Sequence, residues 1–243
     1  MKHKKMNTYF QPILDLKENI TFGFEALNRP TPSKLFKSTD LFYDFVGKTN
    51  KIFSFECFCR NLSIQRYAER MNNNNINSYT LFINVHPNIL LDKNYHSGDT
   101  YKTLVSYGIS PEHVVLELTE RSAVLDFETF ERVLSHYRAQ GYRIAVDDVG
   151  SGYNSLKTLV YLKPEFIKLD RSLIDNIHAN TQQQVLLSVL LDYAQKSCTK
   201  VIAEGIETPA DYYYLKEAGV HYAQGYAIAK PAEKIQLAKE PTI

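Results

Sequence analysis

The residues of this sequence that could do chemistry are polar side chains that each follow a short apolar run. Seven apolar runs end in this way, with the polar residues Glu25, Asn84, Glu117, Asp147–Asp148, Lys168, Glu204 and Gln224. A single residue of this kind is ordinarily a helix cap or a solvated strand end. Their succession instead predicts a site where the ends of several strands converge, as at the carboxyl-terminal mouth of a barrel enzyme.

Acidic side chains gathered in one place need a counter-charge. Two carboxylates 4 Å apart repel each other by about 4 kcal/mol at an effective dielectric constant near 20, and Lys168 alone cannot neutralise the set. Either most of the acids are protonated, at a large cost, or divalent cations lie among them. The donors are oxygens without a histidine–cysteine cluster, which favours Mg²⁺ or Mn²⁺ over Zn²⁺. The adjacent Asp147 and Asp148 could reach two cations, and a cation pair about 3.5–4 Å apart is typical of phosphodiester cleavage.

Eight apolar runs rich in Val, Ile, Phe and Tyr are predicted to be the strands that carry these residues: Tyr9–Leu16, Ile20–Leu27, Leu81–Val85, Val114–Leu118, Arg143–Val149, Phe166–Leu169, Val201–Ala203 and Tyr222–Ile228. Predicted helices lie between most of them: Asp40–Glu69, Thr100–Tyr107, Phe127–Ala139, Gly152–Leu162, Gln182–Lys196 and Pro209–Glu217. This alternation indicates an α/β fold, and eight strands indicate a closed, TIM-like (β/α)8 barrel. A short turn at Lys17–Asn19 predicts a hairpin, so that one strand is antiparallel to the rest.

The composition is that of a globular protein, and we expect a single domain over residues 1–243. The 28 basic and 27 acidic residues leave almost no net charge, which argues against long nucleic acid as a ligand but permits a small anionic one. The cysteines Cys57, Cys59 and Cys198 form no metal-site pattern, and the basic start is followed by neither a signal-peptide core nor a membrane span. These features predict a cytoplasmic protein with reduced thiols and no membrane partner.

The motifs around the polar residues are similar, in chain order, to those of the EAL-domain cyclic-di-GMP phosphodiesterases. The matching segments are Phe24–Arg29, Phe82–Val85, Glu117–Glu120, Asp147–Asp148, Lys168–Arg171, Ala203–Thr208 and Gln224–Gly225. A lone Glu-Ala-Leu would carry no information, whereas the ordered set, extending from Gln11 to Pro231, is specific. The chain therefore resembles a stand-alone EAL domain, and the resemblance implies two-metal hydrolysis of cyclic-di-GMP to linear pGpG.

The resemblance also implies a ligand set for the two cations. One metal would be held by Glu25, Asn84, Glu117 and Asp147, and the second by Asp147, Asp148 and Glu204. The catalytic residues would be Lys168, Glu25, Glu204 and Glu120. Lys168 would orient the attacking water and stabilise charge, because an ammonium is a poor base unless its pKa is lowered. Mg²⁺ or Mn²⁺ is the expected cofactor, and Ca²⁺ is expected to inhibit because its bonds are longer and its coordination looser.

The resemblance assigns the substrate side as well. The substrate-binding residues would be Gln11, Leu27, Arg29, Glu56, Asp170, Glu207 and Gln224. Arg29 would bind a substrate phosphate through its fork of donors, and Glu56 would read a guanine edge. For Glu207, a simple place in the first turn of a helix is the alternative. Glu120 would anchor the loop after Asp148, which in the family couples the metals to a dimer interface, so a homodimer through the barrel-mouth loop region is expected.

Three positions depart from the family pattern: Val149, Ser151 and His86. None is a metal ligand, so we expect effects on loop packing and turnover. Every matched metal position is filled, which favours an active enzyme. The alternatives are a catalytically silent cyclic-di-GMP receptor or protein-binding module on the same barrel, and an unrelated barrel lyase or isomerase that uses one Mg²⁺.

Overall fold

The structure, a computed structural model, describes residues 6–31, 33, 35–49, 51–71, 76–85, 98–119, 127–151 and 155–242. The strands are β1 Met6–Asp15, β2 Ile20–Pro30, β3 Thr80–Asn84, β4 Val114–Thr119, β5 Arg143–Val149, β6 Phe166–Leu169, β7 Lys200–Ala203 and β8 Tyr222–Ala223. The helices are α1 Thr39–Gly47, α2 Ile52–Arg70, α3 Gly98–Ser106, α4 Phe127–Ala139, α5 Ser155–Leu162, α6 Arg171–Ile174, α7 Thr181–Ser197 and α8 Pro209–Glu217. Glu120, His86 and the first residues of the predicted helix Gly152–Leu162 lie outside the described part of the chain.

The strands close into a barrel in chain order, β1 to β8. Strand β1 is antiparallel to both of its neighbours, β2 and β8, and the other neighbours pair in parallel. The reversal occurs in a tight turn, where a side-chain oxygen of Asp15 accepts the backbone N–H groups of Lys17 and Glu18 at 2.9 Å each. The prediction of a TIM-like barrel with one antiparallel strand is confirmed.

Apolar side chains fill the barrel interior below the mouth. They are the buried residues Ile13, Phe82, Val115, Ala145, Phe166 and Ile202, with Phe22 and Tyr222 packed against them. The rings of Phe22 and Tyr222 stack with their centroids 4.1 Å apart. We call this layer the barrel floor; it lies between the polar groups of the mouth and the opposite end of the barrel.

The outward side chains of the same strands pack against the helices and form the largest buried cluster. Examples are Phe24, Leu116, Val146, Ile167 and Val201 from the strands, and Leu134, Leu159, Leu187 and Leu215 from the helices. Burial of one such side chain contributes about 1.5–3 kcal/mol. This shell therefore fixes the strands whose ends carry the polar residues. Among the described residues, none of the helices has the length and apolarity needed to cross a bilayer.

Two predicted elements are wrong. The helix predicted over Asp40–Glu69 is two helices, because α1 ends at Gly47, a poor helix former, and Thr49 then donates its hydroxyl to the carbonyl of Val46 at 2.7 Å. The strand predicted over Tyr222–Ile228 ends at Ala223. Beyond it, the chain turns over the mouth at Gly225, where a Cβ atom would lie 2.2 Å from the carbonyl oxygen of Ile206.

Candidate active site

A layer of polar side chains lies directly above the barrel floor. Side chains of a strand alternate between its two faces, so a residue two positions from an inward apolar residue also points inward. From the floor residues, this step leads to Gln11, Asn84, Glu117, Asp147, Lys168, Glu204 and Gln224, and Glu25 lies opposite Gln11 in the β1–β2 register. The residues that the sequence places at separate strand ends are thus brought together in one mouth.

Lys168 lies at the centre of this layer. Its Nζ is 2.6 Å from Glu117 Oε1, 2.7 Å from Glu204 Oε1, 3.4 Å from Asp147 Oδ1 and 3.5 Å from Glu25 Oε2, and its side chain is 1% exposed. Burial disfavours the ammonium, but these carboxylates outweigh burial and raise the pKa of Lys168 well above its ordinary value. The lysine is therefore a fixed positive charge and not a proton acceptor.

One lysine does not neutralise the acids around it. Burial, and then the charge of Glu25, raise the pKa of Glu117 well above its ordinary value even though Lys168 is adjacent. Burial likewise raises the pKa of Glu204 well above its ordinary value. The second oxygen of Glu117, Oε2, is buried and has no hydrogen-bond partner among the described residues. The site thus gathers more acidic groups than Lys168 can balance and leaves a carboxylate oxygen unused, an oxygen-donor set that fits hard divalent cations.

Two amide side chains hold Glu25 in place. Asn84 Nδ2 donates to Glu25 Oε1 at 3.0 Å, and Gln224 Nε2 donates to Glu25 Oε2 at 2.8 Å and to Gln11 Oε1 at 3.1 Å. Burial favours the neutral acid, but the nearby charge of Lys168 and these hydrogen bonds lower the pKa of Glu25 below its ordinary value. Glu25 is thus an ionised, fixed oxygen donor, and Gln11 and Gln224 belong to the same network.

A bulge in β5 turns two neighbouring aspartates towards the same site. Val146 pairs with Ile167 and Val149 pairs with Leu169, so three steps along β5 oppose two along β6. Asp148 takes the left-handed conformation at φ 58, which aspartate tolerates better than most residues. Oxygens of Asp147, Asp148 and Glu204 consequently lie within 4.8 Å of one another. The sequence predicts that the aspartates act together but not the bulge that allows it.

A cavity of about 280 Å³ reaches this polar layer at Glu25 and Glu204. It is lined by the predicted residues Gln11, Glu25, Leu27, Glu204, Glu207 and Gln224, together with Arg171, Gly205, Gly225 and Tyr226. Sequence reasoning assigned no role to Arg171 and Tyr226. Arg171 lies within the motif Lys168–Arg171 and Tyr226 follows the motif Gln224–Gly225, so the signal that could have found them is their position two or three residues after a polar strand end.

Three predicted substrate-binding residues are not among the described residues that line this cavity. Arg29 is exposed at the end of β2, with its guanidinium 5.3 Å from the centroid of the Tyr9 ring. Glu56 lies on α2, half-buried; burial raises the pKa of Tyr43, and the charge of Glu56 adds to that effect. Asp170 caps α6 by accepting the N–H of Ser172 at 2.9 Å. Their substrate roles stay predictions.

Fold and site together define a (β/α)8 barrel with an acidic oxygen-donor centre in its carboxyl-terminal mouth. The sequence matches the family model described as EAL domain over residues 1–231. The chain belongs to this family.

Relatives and solved structures agree with this membership. Two proteins of Escherichia coli strain K12 match: "Probable cyclic di-GMP phosphodiesterase PdeA", 34% identical over 61% of this chain, and "Probable cyclic di-GMP phosphodiesterase PdeB", 27% identical over 96% of it. The chain spans 20% and 44% of their lengths, so less than half of each of these curated relatives. A crystal structure described as a standalone versatile EAL protein from Vibrio cholerae O395, in its c-di-GMP bound form, is 29% identical, with a TM-score of 0.83 over 96% of this chain and 95% of that one.

Proposed function

We propose that this domain hydrolyses cyclic-di-GMP to linear pGpG with two divalent cations. The observation that carries the proposal is the convergence of Asp147, Asp148 and Glu204 oxygens within 4.8 Å, beside a buried Glu117 with an unpartnered oxygen. The names of the relatives and the ligand of the Vibrio cholerae EAL protein support cyclic-di-GMP as the substrate.

The donors that would hold the cations are all oxygens. Glu25, Asn84, Glu117 and Asp147 would hold one, and Asp147, Asp148 and Glu204 the other. Bound there, Mg²⁺ or Mn²⁺ would lower the pKa of water and neutralise charge on the phosphoryl oxygens. We expect Ca²⁺ to inhibit, because it prefers longer bonds and more ligands.

The chain's own residues supply position and charge. Lys168, protonated and fixed by four carboxylates, would stabilise the negative charge that develops on the phosphate. Asn84 and Gln224 keep Glu25 aimed into the site. The apolar floor excludes bulk water from below, which strengthens these electrostatic interactions. Arg29 at the rim would bind the phosphate away from the reacting centre, and Glu56 a guanine.

Product analysis over time tests this function. Purified protein is incubated with cyclic-di-GMP and Mg²⁺, Mn²⁺ or Ca²⁺, and the nucleotides are separated by anion-exchange chromatography. We expect pGpG with Mg²⁺ or Mn²⁺, and for Glu25→Ala a loss of rate of at least about 100-fold with folding intact. Glu69→Ala, an exposed glutamate on α2, is the control and should retain the rate. Absence of pGpG with every metal would contradict the proposal.

The receptor alternative predicts a different result in the same experiment. A silent relative would bind cyclic-di-GMP in a metal-dependent way without forming product. The filled set of acidic ligands favours the enzyme, since every position matched to a metal ligand carries an oxygen donor.

We further infer a homodimer. Exposed apolar side chains lie on α5 and α7: Leu156, Val160, Tyr161, Val185, Leu186 and Val189. We call this surface the α5–α7 face. The two helices are neighbours, since the Tyr193 hydroxyl of α7 donates to the Leu159 carbonyl of α5 at 3.2 Å. Helix α5 follows the loop after Asp148, which is the region predicted to mediate dimerisation.

The single-domain organisation and the cytoplasmic location stay predictions from the sequence.

A further inference from the structure

Arg171 and Glu207 form a two-pronged ion pair on the wall of the active-site cavity. Arg171 Nη2 lies 2.9 Å from Glu207 Oε2, and Nη1 contacts Glu207 Oε1. Arg171 is the first residue of α6, directly after β6, and Glu207 lies in the segment between β7 and α8. The pair therefore joins the polar ends of two neighbouring strands, those that carry Lys168 and Glu204.

The aliphatic stem of Arg171 makes a second contact with the same segment. Gly205 has φ +67, and a Cβ atom there would lie 2.7 Å from Cβ and 2.8 Å from Cγ of Arg171. The backbone next to Glu204 thus rests against the arginine stem, an approach that only glycine permits.

The base of Arg171 is itself fixed to the acidic site. The Asp170 N–H donates to the carbonyl of Val149 at 3.1 Å, and the Glu204 N–H donates to the carbonyl of Leu169 at 3.2 Å. Backbone hydrogen bonds therefore tie the start of α6 to β5 on one side and to β7 on the other. Arg171 extends from this fixed point across Gly205 to Glu207.

This ion pair contributes little to stability, because the side chains of Arg171 and Glu207 are 50% and 41% exposed. A bidentate guanidinium–carboxylate pair fixes orientation, however. A second contact, outside the cavity lining, joins the turn Ile177–Ala179 to α8. There His178 Nδ1 lies 2.8 Å from Asp211 Oδ1, and Asp211 Oδ2 accepts the Thr208 hydroxyl at 2.7 Å. This second contact holds the start of α8 and serves as an internal control.

We propose that Arg171 is a positioning residue for the segment Glu204–Glu207. It keeps Glu204 beside Asp147 and Asp148 and keeps the Glu207 carboxylate on the cavity wall. The consequence for catalysis rests on the function proposed above, whereas the effect on the segment does not.

Arg171→Ala, with His178→Gln as the matched control, tests the proposal in the full chain. The intact protein is exchanged in deuterated water without metal or substrate, and the deuterium taken up by residues 203–208 is then measured in a proteolytic peptide. This uptake reports directly on the mobility of the segment. We expect faster exchange there in Arg171→Ala, whereas in His178→Gln the faster exchange is confined to the start of α8. Arg171→Lys should lie between Arg171→Ala and the wild type, because an ammonium makes a single-point contact.

Two further measurements connect the segment to the site. We expect Arg171→Ala to raise the Mn²⁺ concentration needed for half of the metal-induced rise in Tm by about tenfold, the usual effect of removing a group that orients a ligand. It should also raise KM for cyclic-di-GMP, and His178→Gln should change neither quantity. Unchanged exchange at 203–208 in Arg171→Ala, or identical effects of the two variants, would overturn the proposal. If the wild type neither binds Mn²⁺ nor forms pGpG, the proposed function fails, and the exchange result still decides the role of Arg171.

Discussion

Lys168 shows how strongly one residue depends on its surroundings in this protein. An ammonium with 1% exposure would be costly to bury alone, but four carboxylates within 3.5 Å repay that cost. The positive charge of the same lysine also reduces the electrostatic repulsion among those acids. Its position therefore matters for stability as well as for the proposed chemistry.

Replacement of Lys168 by methionine should destabilise the protein by about 3–5 kcal/mol, because it leaves buried carboxylates without their cation. Urea denaturation in the presence of a chelator measures the free energy of unfolding. Lys196→Met is the control, since Lys196 forms an exposed pair with Asp192 on α7 and should change stability by less than about 1 kcal/mol. Equal losses for the two variants would show that the central charge is not needed.

Protonation of His221 should make the free energy of unfolding depend on pH. Burial, and then the charge of Lys200, lower the pKa of His221 below its ordinary value. Its Nδ1 accepts the Val201 N–H at 3.2 Å, which requires the neutral ring. A depressed folded-state pKa gives stability that is present above the unfolded pKa of about 6.5 and is lost as the pH falls through the folded pKa.

We therefore expect the urea midpoint of the wild type to fall between about pH 7.5 and about pH 5.5, and to fall less in His221→Gln. His136→Gln, on the exposed side of α4, should keep the wild-type pH dependence. A pH dependence that is the same in all three proteins would exclude His221 as its source.

At the scale of elements, two irregular features of the backbone position the groups of the site: the bulge in β5 and the turn after β8. The bulge at Asp148 places adjacent carboxylates on one side of β5, which a regular strand cannot do. The turn at Gly225 ends β8 early and leaves Gln224 facing Glu25. Irregular backbone at the mouth thus accompanies the polar groups, and a further register shift lies at the barrel floor, between Ile13 and Leu14 of β1.

Helix α7 offers a prediction about stability at the same scale. Its C-terminal cap is Cys198, which has φ 58, and the following Thr199 N–H donates to the Ala194 carbonyl at 2.9 Å. Glycine adopts this conformation without strain, so Cys198→Gly should stabilise the protein by about 0.5–1 kcal/mol. Gln195→Gly, three residues earlier inside the helix, should instead destabilise it by about 1 kcal/mol. Thermal unfolding of both variants measures the difference, and a lower Tm for Cys198→Gly would contradict it.

At the scale of the whole molecule, the acidic mouth and the α5–α7 face are connected by the chain that leaves β5. Three exposed apolar side chains of this face lie on α7, namely Val185, Leu186 and Val189. Adjacent exposed apolar residues of this kind are typical of an interaction surface. A second copy of the chain is the partner that the dimer proposal assigns to it.

Val189→Glu should therefore shift the protein from dimer to monomer. In a symmetric interface both copies bury the new carboxylate, and each buried charge without a partner weakens association. Analytical ultracentrifugation over a concentration series measures the change. Gln195→Glu introduces the same charge on α7 at an exposed position outside this face and should leave the oligomeric state unchanged. A monomeric wild type at every concentration would contradict the dimer proposal.

The sequence by itself determined the eight strands, their closure into a barrel and the polar residues at their ends. It could do so because a short apolar run and the polar residue that follows it are local features of the sequence. Glu25, Asn84, Glu117, Asp147, Lys168, Glu204 and Gln224 could all be named in this way.

Only the tertiary structure decided how these groups meet. The contact of Lys168 with four acids, the bulge of β5 against β6 and the contact of Arg171 with Glu207 all depend on which distant segments the closed barrel brings together. The spacing of residues along a strand indicates the face on which a side chain lies. Distances between side chains across the mouth are set instead by the register and curvature of the whole barrel.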